Sequence, residues 1–248
     1  MLNIKDLKIK IFADGADIKA MAEAYKAGIV KGFTTNPSLM KKNGITDYES
    51  FAKEVLKKIP DRPISFEVFS DEFDEMELQA KEIASWGKNI NVKIPITNTK
   101  GQSSTPLIKK LSSEGLSLNI TAILTTEQVK EVQKVLNPNT YNIVSVFAGR
   151  IADTGIDPMP CMIESAKILK PLSNTDLLWA SSRELLNIFQ AEQAGCQIIT
   201  VTPDILKKLS GVGKDLTELS LDTVKMFYSD ACQAGFKINT RELKVKIR

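Results

Sequence analysis

The chain has 248 residues and a formal net charge of +3, with 43% hydrophobic and 25% charged residues. This composition is typical of an ordinary globular protein, and no apolar stretch approaches the roughly 20 residues that span a bilayer. Basic residues are spread along the chain, often beside acids, so neither a nucleic-acid surface nor a membrane is a predicted partner. The N-terminal residues lack the pattern of a signal peptide, and we expect a cytoplasmic protein.

The chain contains no histidine, which removes Ser-His and Cys-His nucleophile pairs, histidine general bases and histidine-containing metal sites. Cys161, Cys196 and Cys232 lie far apart without CxxC spacing, so we expect buried thiols and neither disulfides nor a metal site. The segment GVGK at 211–214 lacks the spacing of a phosphate-binding loop, which disfavours a nucleotide. Proton transfer must therefore use carboxylates, lysine, tyrosine or water, and no cofactor is predicted.

Short apolar runs alternate with amphipathic segments from about residue 7 to residue 209, which indicates repeated βα units around a parallel sheet. Eight such units predict one α/β domain over residues 1–248, a (β/α)8 or TIM barrel. The predicted strands are approximately 8–14, 31–36, 64–70, 90–96, 116–123, 141–147, 176–181 and 197–202.

Helical patterns lie between the predicted strands. Residues 17–27 and 127–136 carry apolar side chains on one face, and Asp47 is an N-cap candidate for the helix that follows it. Residues 216–234 predict one additional amphipathic helix, followed by a basic tail at 244–248. We interpret 216–248 as an extension of the same domain that caps the barrel or reaches a neighbouring subunit.

Polar residues lie at the ends of the predicted strands, on the side that faces the barrel interior. Alternate residues of a barrel strand point inward, and in NINVKIPI the apolar Ile90, Val92 and Ile94 suit the outward layer, so Lys93 points inward. The same alternation places inward Asp14, Asn36, Glu67, Asn119, Thr121, Ser145 and Ser181. Active sites of such barrels lie at this end of the strands.

An isolated lysine in a strand is more often an edge or surface residue than a catalyst. A lysine with two carboxylates and several amides and hydroxyls is costly to bury merely as core, which favours a functional site. Desolvation favours the neutral amine of a lysine, and that amine attacks carbonyl groups to form Schiff bases. Glu67 leaves two interpretations open, since it either takes part in proton transfer or forms a structural ion pair that keeps Lys93 charged.

Seven segments, in this order, resemble a known family: IFADGAD, GFTTNPSLM, SFEVFS, NVKIPIT, LSLNITAILTTEQ, SVFAGRIADTG and WASSR. They resemble the transaldolase family, specifically its short-chain branch, which also contains fructose-6-phosphate aldolase. The resemblance covers about residues 8–235. Val146 stands where many members have proline and Ala148 where they have valine, and both replacements are apolar.

The resemblance implies catalytic roles for four residues. Lys93 would form the Schiff base with the donor ketose, and Asp14 would take and return the proton of the C4 hydroxyl. Glu67 and Thr121 would hold a water that shuttles protons while the carbinolamine forms and dehydrates.

The resemblance also implies a substrate-binding set, in which Asn36 and Asn119 bind hydroxyls of the ketol unit. The residues implied to hold the substrate phosphate are Ser145, Arg150, Ser181 and Arg183, because guanidiniums match a phosphate by bidentate hydrogen bonds. From the segment GRIAD alone, an ordinary salt bridge between Arg150 and Asp153 is the preferred interpretation. The choice of Ser181 over Ser182 rests on alternation and resemblance together.

The implied activity is a transaldolase, a Schiff-base transferase of ketone residues in the pentose phosphate pathway. It would move a dihydroxyacetone unit from fructose 6-phosphate or sedoheptulose 7-phosphate to an aldose phosphate. The nearest alternative is fructose-6-phosphate aldolase, a lyase whose members carry tyrosine and glutamine where this chain has Phe147 and Glu67. A non-catalytic sugar-phosphate-binding barrel would be expected to lack Lys93, Asp14 or Glu67. Short-chain relatives form pentamers and decamers through the C-terminal helix, so a homo-oligomer is expected.

Overall fold

Eight parallel strands close into a barrel in the computed structural model, which describes residues 7–238. Each strand pairs with the next one along the chain, and β8 closes the ring on β1. The strands are β1 (Lys10–Asp14), β2 (Gly32–Thr34), β3 (Ile64–Glu67), β4 (Ile90–Pro95), β5 (Leu118–Ile123), β6 (Asn142–Val146), β7 (Thr175–Trp179) and β8 (Ile198–Val201). The predicted fold class is confirmed, and all eight predicted strands are present.

Helices follow the strands, and those before residue 210 surround the barrel. They are α1 (Ile18–Ala27), α2 (Pro37–Lys42), α3 (Tyr48–Lys58), α4 (Phe73–Ser85), α5 (Thr105–Ser113), α6 (Thr126–Val135), α7 (Ala148–Ala152), α8 (Met159–Leu169), α9 (Leu186–Gln193), α10 (Pro203–Lys207) and α11 (Leu216–Gln233). Asp17 and Asp47 begin α1 and α3 by accepting a backbone hydrogen bond three residues ahead, as N-cap side chains do.

Several strands are shorter than predicted, because the residues after them belong to the loops that form the upper end of the barrel. Asn36, predicted at the end of the second strand, is instead the N-cap of α2, and its side-chain oxygen accepts a hydrogen bond from the amide of Leu39. The chain thus turns from β2 into α2 immediately above the barrel.

The lower barrel interior combines an apolar side and a polar side. Phe12, Ile143, Leu178 and Ile198 from β1, β6, β7 and β8 pack together with Ala180, which follows β7. On the other side of the ring, β3, β4 and β5 bury Ser65, Asn91 and Asn119. The apolar cluster supplies the packed floor on which a polar site above it can rest.

Chain contacts separate a barrel unit, Asp6–Leu209, from a second unit that includes residues 210–238. Within this second unit α11 has no buried residue. Whether 216–248 extends the same domain stays a prediction, and the predicted basic tail at 244–248 lies outside the described residues. Over residues 7–238, no helix combines the length and apolar character needed to cross a membrane.

The cysteine expectation holds only in part. Cys196 is buried, whereas Cys161 is partly exposed and Cys232, in α11, is exposed. The expectation of three buried thiols was therefore wrong for Cys161 and Cys232. Sequence periodicity predicts an apolar face on a helix, but it does not show whether a given cysteine of that helix is buried.

Gly32 is required by the packing of the barrel floor. A Cβ at this position would lie 2.4 Å from the ring of Phe12, which is only 1% exposed. Since that ring has no free space to move into, we predict that Gly32→Ala lowers the free energy of unfolding by about 1–3 kcal/mol. Urea denaturation measures the loss, and Gly211→Ala, where an added Cβ meets nothing within 4 Å, is the control. Equal stability of the two variants would contradict this role of Gly32.

Candidate active site

A cavity of about 650 Å³ lies at the C-terminal ends of the strands, within the barrel unit. Every residue predicted from the sequence to belong to the site lines it. These residues are Asp14, Asn36, Glu67, Lys93, Asn119, Thr121, Ser145, Phe147, Arg150, Ser181 and Arg183. The structure therefore brings the predicted residues together, while their individual roles stay predictions.

Lys93 is the buried charge at the centre of this cavity. It is 5% exposed, and its Nζ lies 2.8 Å from Glu67 Oε2. The two residues are register partners on β3 and β4, so strand pairing itself sets their proximity. The Lys93 amine also donates a hydrogen bond of 2.8 Å to the backbone oxygen of Thr35. The ion pair named by one interpretation of Glu67 is thus present, and it also makes Glu67 the closest carboxylate acceptor for a Lys93 proton.

Asp14 lies at the end of β1 and faces the same cavity. Burial raises the pKa of Asp14, and the nearby charge of Lys93 and the hydroxyl of Thr34 oppose that rise. Thr34 Oγ1 donates to Asp14 Oδ1 over 2.8 Å, and the amide of Asn36 lies 3.5 Å from Oδ2. This carboxyl group is therefore poised to exchange a proton at a pH above the ordinary aspartate range.

Asn119, Ser145 and Thr121 form the polar wall beside Lys93. The Asn119 amide donates to Ser65 Oγ over 3.0 Å and accepts from Ser145 Oγ over 2.6 Å. Ser145 is thus already bound to Asn119, so a phosphate would compete with that bond. Thr121 Oγ1 is buried without a hydrogen-bond partner among the described residues, and such a group has unused capacity to bind a ligand.

A local irregularity of β5 positions Thr121. The pairing of β5 with β6 shifts register between Ile120 and Ile123, and Ala122 adopts a left-handed φ of 61°. Bulges of this kind change the direction in which neighbouring side chains point, and they occur often beside active sites. The simple alternation that predicted an inward Thr121 thus reached the right residue without detecting the bulge.

The cationic side of the cavity is formed by the segments after β6 and β7. The Arg150 guanidinium carbon lies 5.7 Å from the centre of the Phe147 ring, a cation–π contact. Arg183, by contrast, binds Asp153 through two nitrogens, one of them 2.9 Å from Oδ1. The Arg150–Asp153 salt bridge suggested by the sequence alone is therefore wrong: Asp153 pairs with Arg183, which reaches it from the neighbouring loop.

Gly149 allows these two segments to approach each other. A Cβ on Gly149 would lie 1.6 Å from the backbone oxygen of Ser181, which itself adopts a left-handed φ of 63°. Only glycine tolerates so close a backbone approach. The contact holds Arg150 and Ser181 beside each other at the edge of the cavity.

The described side chains form no cluster of candidate metal ligands. Between residues 7 and 238, no group of three or more Asp, Glu or Cys side chains is placed to hold a metal ion. The cavity instead combines an amine, carboxylates, amides and hydroxyls, which suits proton transfer and covalent chemistry on a carbonyl substrate.

Comparison with known protein families identifies the family of barrel proteins to which the chain is related. The transaldolase/fructose-6-phosphate aldolase family model matches residues 11–243. The chain belongs to this family. Membership supports an enzyme of the transaldolase or aldolase type and confirms the resemblance found in the sequence.

Two relatives match most of the chain. A probable transaldolase of Dehalococcoides mccartyi is 35% identical over 202 residues, covering 81% of this chain and 90% of the relative. A probable transaldolase of a Thermoanaerobacter species is 34% identical over 231 residues, covering 93% of this chain and all of the relative. The similarity thus spans the whole barrel and not an isolated motif.

Solved structures support the fold alone. A 3-hexulose-6-phosphate synthase matches with a TM-score of 0.55 at 16% identity, covering 79% of this chain and 90% of that one. A thiamine phosphate pyrophosphorylase from Pyrococcus furiosus matches with a TM-score of 0.52 at 12% identity, covering 79% and 86%.

Four further residues at or beside the cavity were missed by sequence reasoning. Thr34, Lys42 and Thr200 line the cavity, and Tyr48 reaches Glu67 from α3. The strand alternation used for Asn36 would have found Thr34, and the same alternation in β8 would have found Thr200. Nothing in the local sequence indicates the role of Tyr48, because its contact with Glu67 depends on how α3 packs.

Tyr48 holds the backbone of Glu67 at two points. The Glu67 amide donates to Tyr48 Oη over 2.8 Å, and the same hydroxyl donates to the Glu67 carbonyl oxygen over 2.8 Å. We predict that Tyr48→Phe destabilises the protein by about 1–3 kcal/mol, because it leaves polar backbone groups without a partner. Thermal and urea unfolding measure the loss.

The control is Tyr25→Phe, which removes a hydroxyl that bonds Asp61 at the surface. This control should change the free energy of unfolding by much less. Similar losses in the two tyrosine variants would argue against the Tyr48–Glu67 contact as a structural constraint.

Proposed function

We propose that the protein transfers a dihydroxyacetone unit from a ketose phosphate to an aldose phosphate through a Schiff base on Lys93. The observation that carries this proposal is a lysine 5% exposed inside a cavity that also contains two carboxylates, Glu67 and Asp14. The donors are fructose 6-phosphate or sedoheptulose 7-phosphate. Family membership and the similarity to two probable transaldolases support a transaldolase-type activity.

The reaction begins with loss of a proton from Lys93. Glu67, 2.8 Å away, accepts that proton, and the neutral amine attacks the C2 carbonyl of the ketose. The resulting carbinolamine loses water to give the iminium ion. Glu67 and the unpartnered hydroxyl of Thr121 hold the water that carries protons to and from the leaving oxygen. The ion pair and the catalytic role of Glu67 are thus compatible, with the ion pair as the resting state.

Asp14 then acts on the C4 hydroxyl of the bound sugar. It removes the hydroxyl proton, the C3–C4 bond breaks, and the electron pair of that bond passes to the iminium nitrogen to form an enamine. The aldose phosphate leaves, and a second aldose phosphate enters. Its carbonyl carbon is attacked by the enamine while Asp14 returns the proton to the new hydroxyl. Asn36 and Asn119 bind the hydroxyls of the three-carbon unit throughout.

The phosphate of donor and acceptor binds on the side of the cavity after β6 and β7. Arg150 and Arg183 supply positive charge, and Ser145 and Ser181 supply hydroxyls. Arg150 forms no salt bridge of 4.0 Å or less with a described residue; its guanidinium stacks on the Phe147 ring and lies within electrostatic reach of Asp153. Arg150 is therefore more available to an incoming phosphate than Arg183, which is bound to Asp153.

Phe147 favours transfer over release of free dihydroxyacetone. Its half-buried ring lines the cavity and offers no proton to the enamine. The intermediate therefore waits for an acceptor aldehyde. The lyase alternative is favoured in relatives with tyrosine at this position, and the non-catalytic alternative is disfavoured because Lys93, Asp14 and Glu67 share one cavity.

We also propose that the protein acts in the cytoplasm without a cofactor, and in the pentose phosphate pathway, which the resemblance implies. We also propose a pentamer or decamer in which α11 takes part, since α11 has no buried residue in the described chain.

Product partition tests the proposed transfer. With fructose 6-phosphate and erythrose 4-phosphate, the wild-type protein should form sedoheptulose 7-phosphate much faster than free dihydroxyacetone. Phe147→Tyr adds a hydroxyl beside the enamine and should raise dihydroxyacetone release while lowering transfer, with Glu67→Gln as a companion variant. Coupled assays measure both products. Release as fast as transfer in the wild type would identify a lyase and overturn the transferase proposal.

Substitution of the two arginines tests the phosphate site. Arg150→Ala and Arg183→Ala should each raise KM for phosphorylated donors, because a charge-assisted hydrogen bond contributes roughly 1.5–3 kcal/mol. The KM for dihydroxyacetone, an unphosphorylated donor, should change little. Arg62→Ala, at a partly buried arginine that is stacked on Tyr25 and does not line the cavity, is the matched control. Equal increases in KM for phosphorylated and unphosphorylated donors would show that the phosphate does not bind at these arginines.

A further inference from the structure

We propose that Thr200 is a positioning residue that keeps Asp14 ionised, acting through the hydroxyl of Thr34. This inference rests on the proposed function, in which Asp14 must be a carboxylate to accept the C4 hydroxyl proton. Thr200 touches no reacting atom in this scheme. It acts on catalysis only through the hydrogen bonds that end at Asp14.

The three side chains form one continuous row across the upper ends of neighbouring strands. Thr34 on β2 donates to Asp14 Oδ1 over 2.8 Å, and its oxygen lies 2.5 Å from the Thr200 hydroxyl on β8. Since β1 lies between β2 and β8, the two threonines meet across the strand that carries Asp14. Thr34 is 4% exposed and Thr200 is 6% exposed, so bulk water competes little for these bonds.

Counting hydroxyl protons fixes the direction of the row. Each threonine hydroxyl has one proton to donate. Thr34 gives its proton to the Asp14 carboxylate, so the proton in the contact between the two threonines must come from Thr200. The row therefore runs from Thr200 through Thr34 to Asp14. A donor that itself accepts a hydrogen bond becomes a stronger donor, so Thr200 strengthens the bond that Asp14 receives.

Hydrogen bonds that run in this direction, from Thr200 to Asp14, favour the charged form of Asp14. A carboxylate accepts a stronger hydrogen bond than a neutral carboxyl group does. If a protonated Asp14 instead donated to Thr34, the Thr34 hydroxyl would have to turn its own proton away from Asp14, towards Thr200 or another acceptor. Thr200 is held in place independently, because its backbone oxygen accepts a bond of 2.9 Å from Ser182 Oγ.

Several other groups change the pKa of Asp14. The hydrogen bonds of the row oppose burial, which is the largest effect that raises this pKa. Burial raises the pKa of Asp14, and the charge of Glu67 on β3 raises it further. Lys93 on β4, together with the hydrogen bonds from Thr34 and Asn36, lowers it. Lys42, Arg150 and Arg183 are the other charged groups that line the cavity. All of these remain when only the Thr200 hydroxyl is removed.

The direction in which the pKa of Asp14 changes in a Thr200 variant follows from these opposing effects. Without the Thr200 hydroxyl, the bond from Thr34 to the carboxylate weakens, and the pKa of Asp14 rises further. The carboxylate then becomes protonated at a higher pH. The acid limb of the pH profile for the proposed reaction should therefore move to higher pH.

The experiment compares Thr200→Val, which preserves the shape of the side chain without its hydroxyl, with Thr200→Ser, which restores the hydroxyl. Thr200→Ala is a second variant in case valine packs poorly. The matched control is Thr175→Val on β7, which removes a buried hydroxyl that has no hydrogen-bond partner among the described residues. Two quantities are measured in the full-length protein. One is the pH dependence of kcat/KM for transfer, and the other is the titration of Asp14 by carbon-13 NMR, assigned with Asp14→Asn.

In Thr200→Val and Thr200→Ala, we expect the midpoint of the acid limb of kcat/KM to rise by about half a pH unit, as loss of part of one hydrogen bond implies. The midpoint of the Asp14 titration should rise by the same amount. Thr200→Ser and Thr175→Val should titrate like the wild type. An unchanged Asp14 midpoint in both hydroxyl-deleted variants, or an equal shift in Thr175→Val, would overturn the inference. An inactive wild type with a shifted Asp14 titration in Thr200→Val would instead refute the proposed function and leave the hydroxyl row standing.

Discussion

The pairing of Lys93 with Glu67 inside the barrel is the interaction on which the site depends. Burying a charged amine without a partner is costly, and removing one member of a buried pair leaves an uncompensated charge. The structure offsets that cost by setting the two residues opposite each other on β3 and β4 and by adding the Thr35 carbonyl as a second acceptor. The same arrangement that allows the charge to be buried provides the carboxylate that can remove the lysine proton.

The barrel fold places the other residues of the cavity around Lys93 and Glu67. The strand ends of β1 and β5 bring Asp14 and Thr121 to the cavity, while the apolar cluster around Phe12 fills the space below. The segments after β6 and β7 add positive charge at the edge, where Gly149 permits their close approach. The proposed carbonyl substrate would thus meet Lys93 within the cavity and would place its anionic end beside Arg150 and Arg183.

Much of this could be predicted from the sequence because strand alternation is a strong physical constraint. Apolar Ile90, Val92 and Ile94 leave one direction for Lys93, and the confirmed fold follows from eight such strands. Contacts between distant segments could not be predicted in the same way. The pairing of Asp153 with Arg183 in place of Arg150, and the hold of Tyr48 on Glu67, depend on loop and helix packing that no local pattern encodes. Thr200 was missed although alternation applies to β8 as well.

Borohydride trapping tests the central claim most directly. Reduction of the protein in the presence of fructose 6-phosphate should attach a three-carbon unit to Lys93 alone, as peptide mass mapping would show. Lys93→Met should lose both the label and turnover, while Lys88→Met, at a lysine just before β4, should retain both. Labelling of a different lysine, or full turnover by Lys93→Met, would contradict the Schiff-base mechanism.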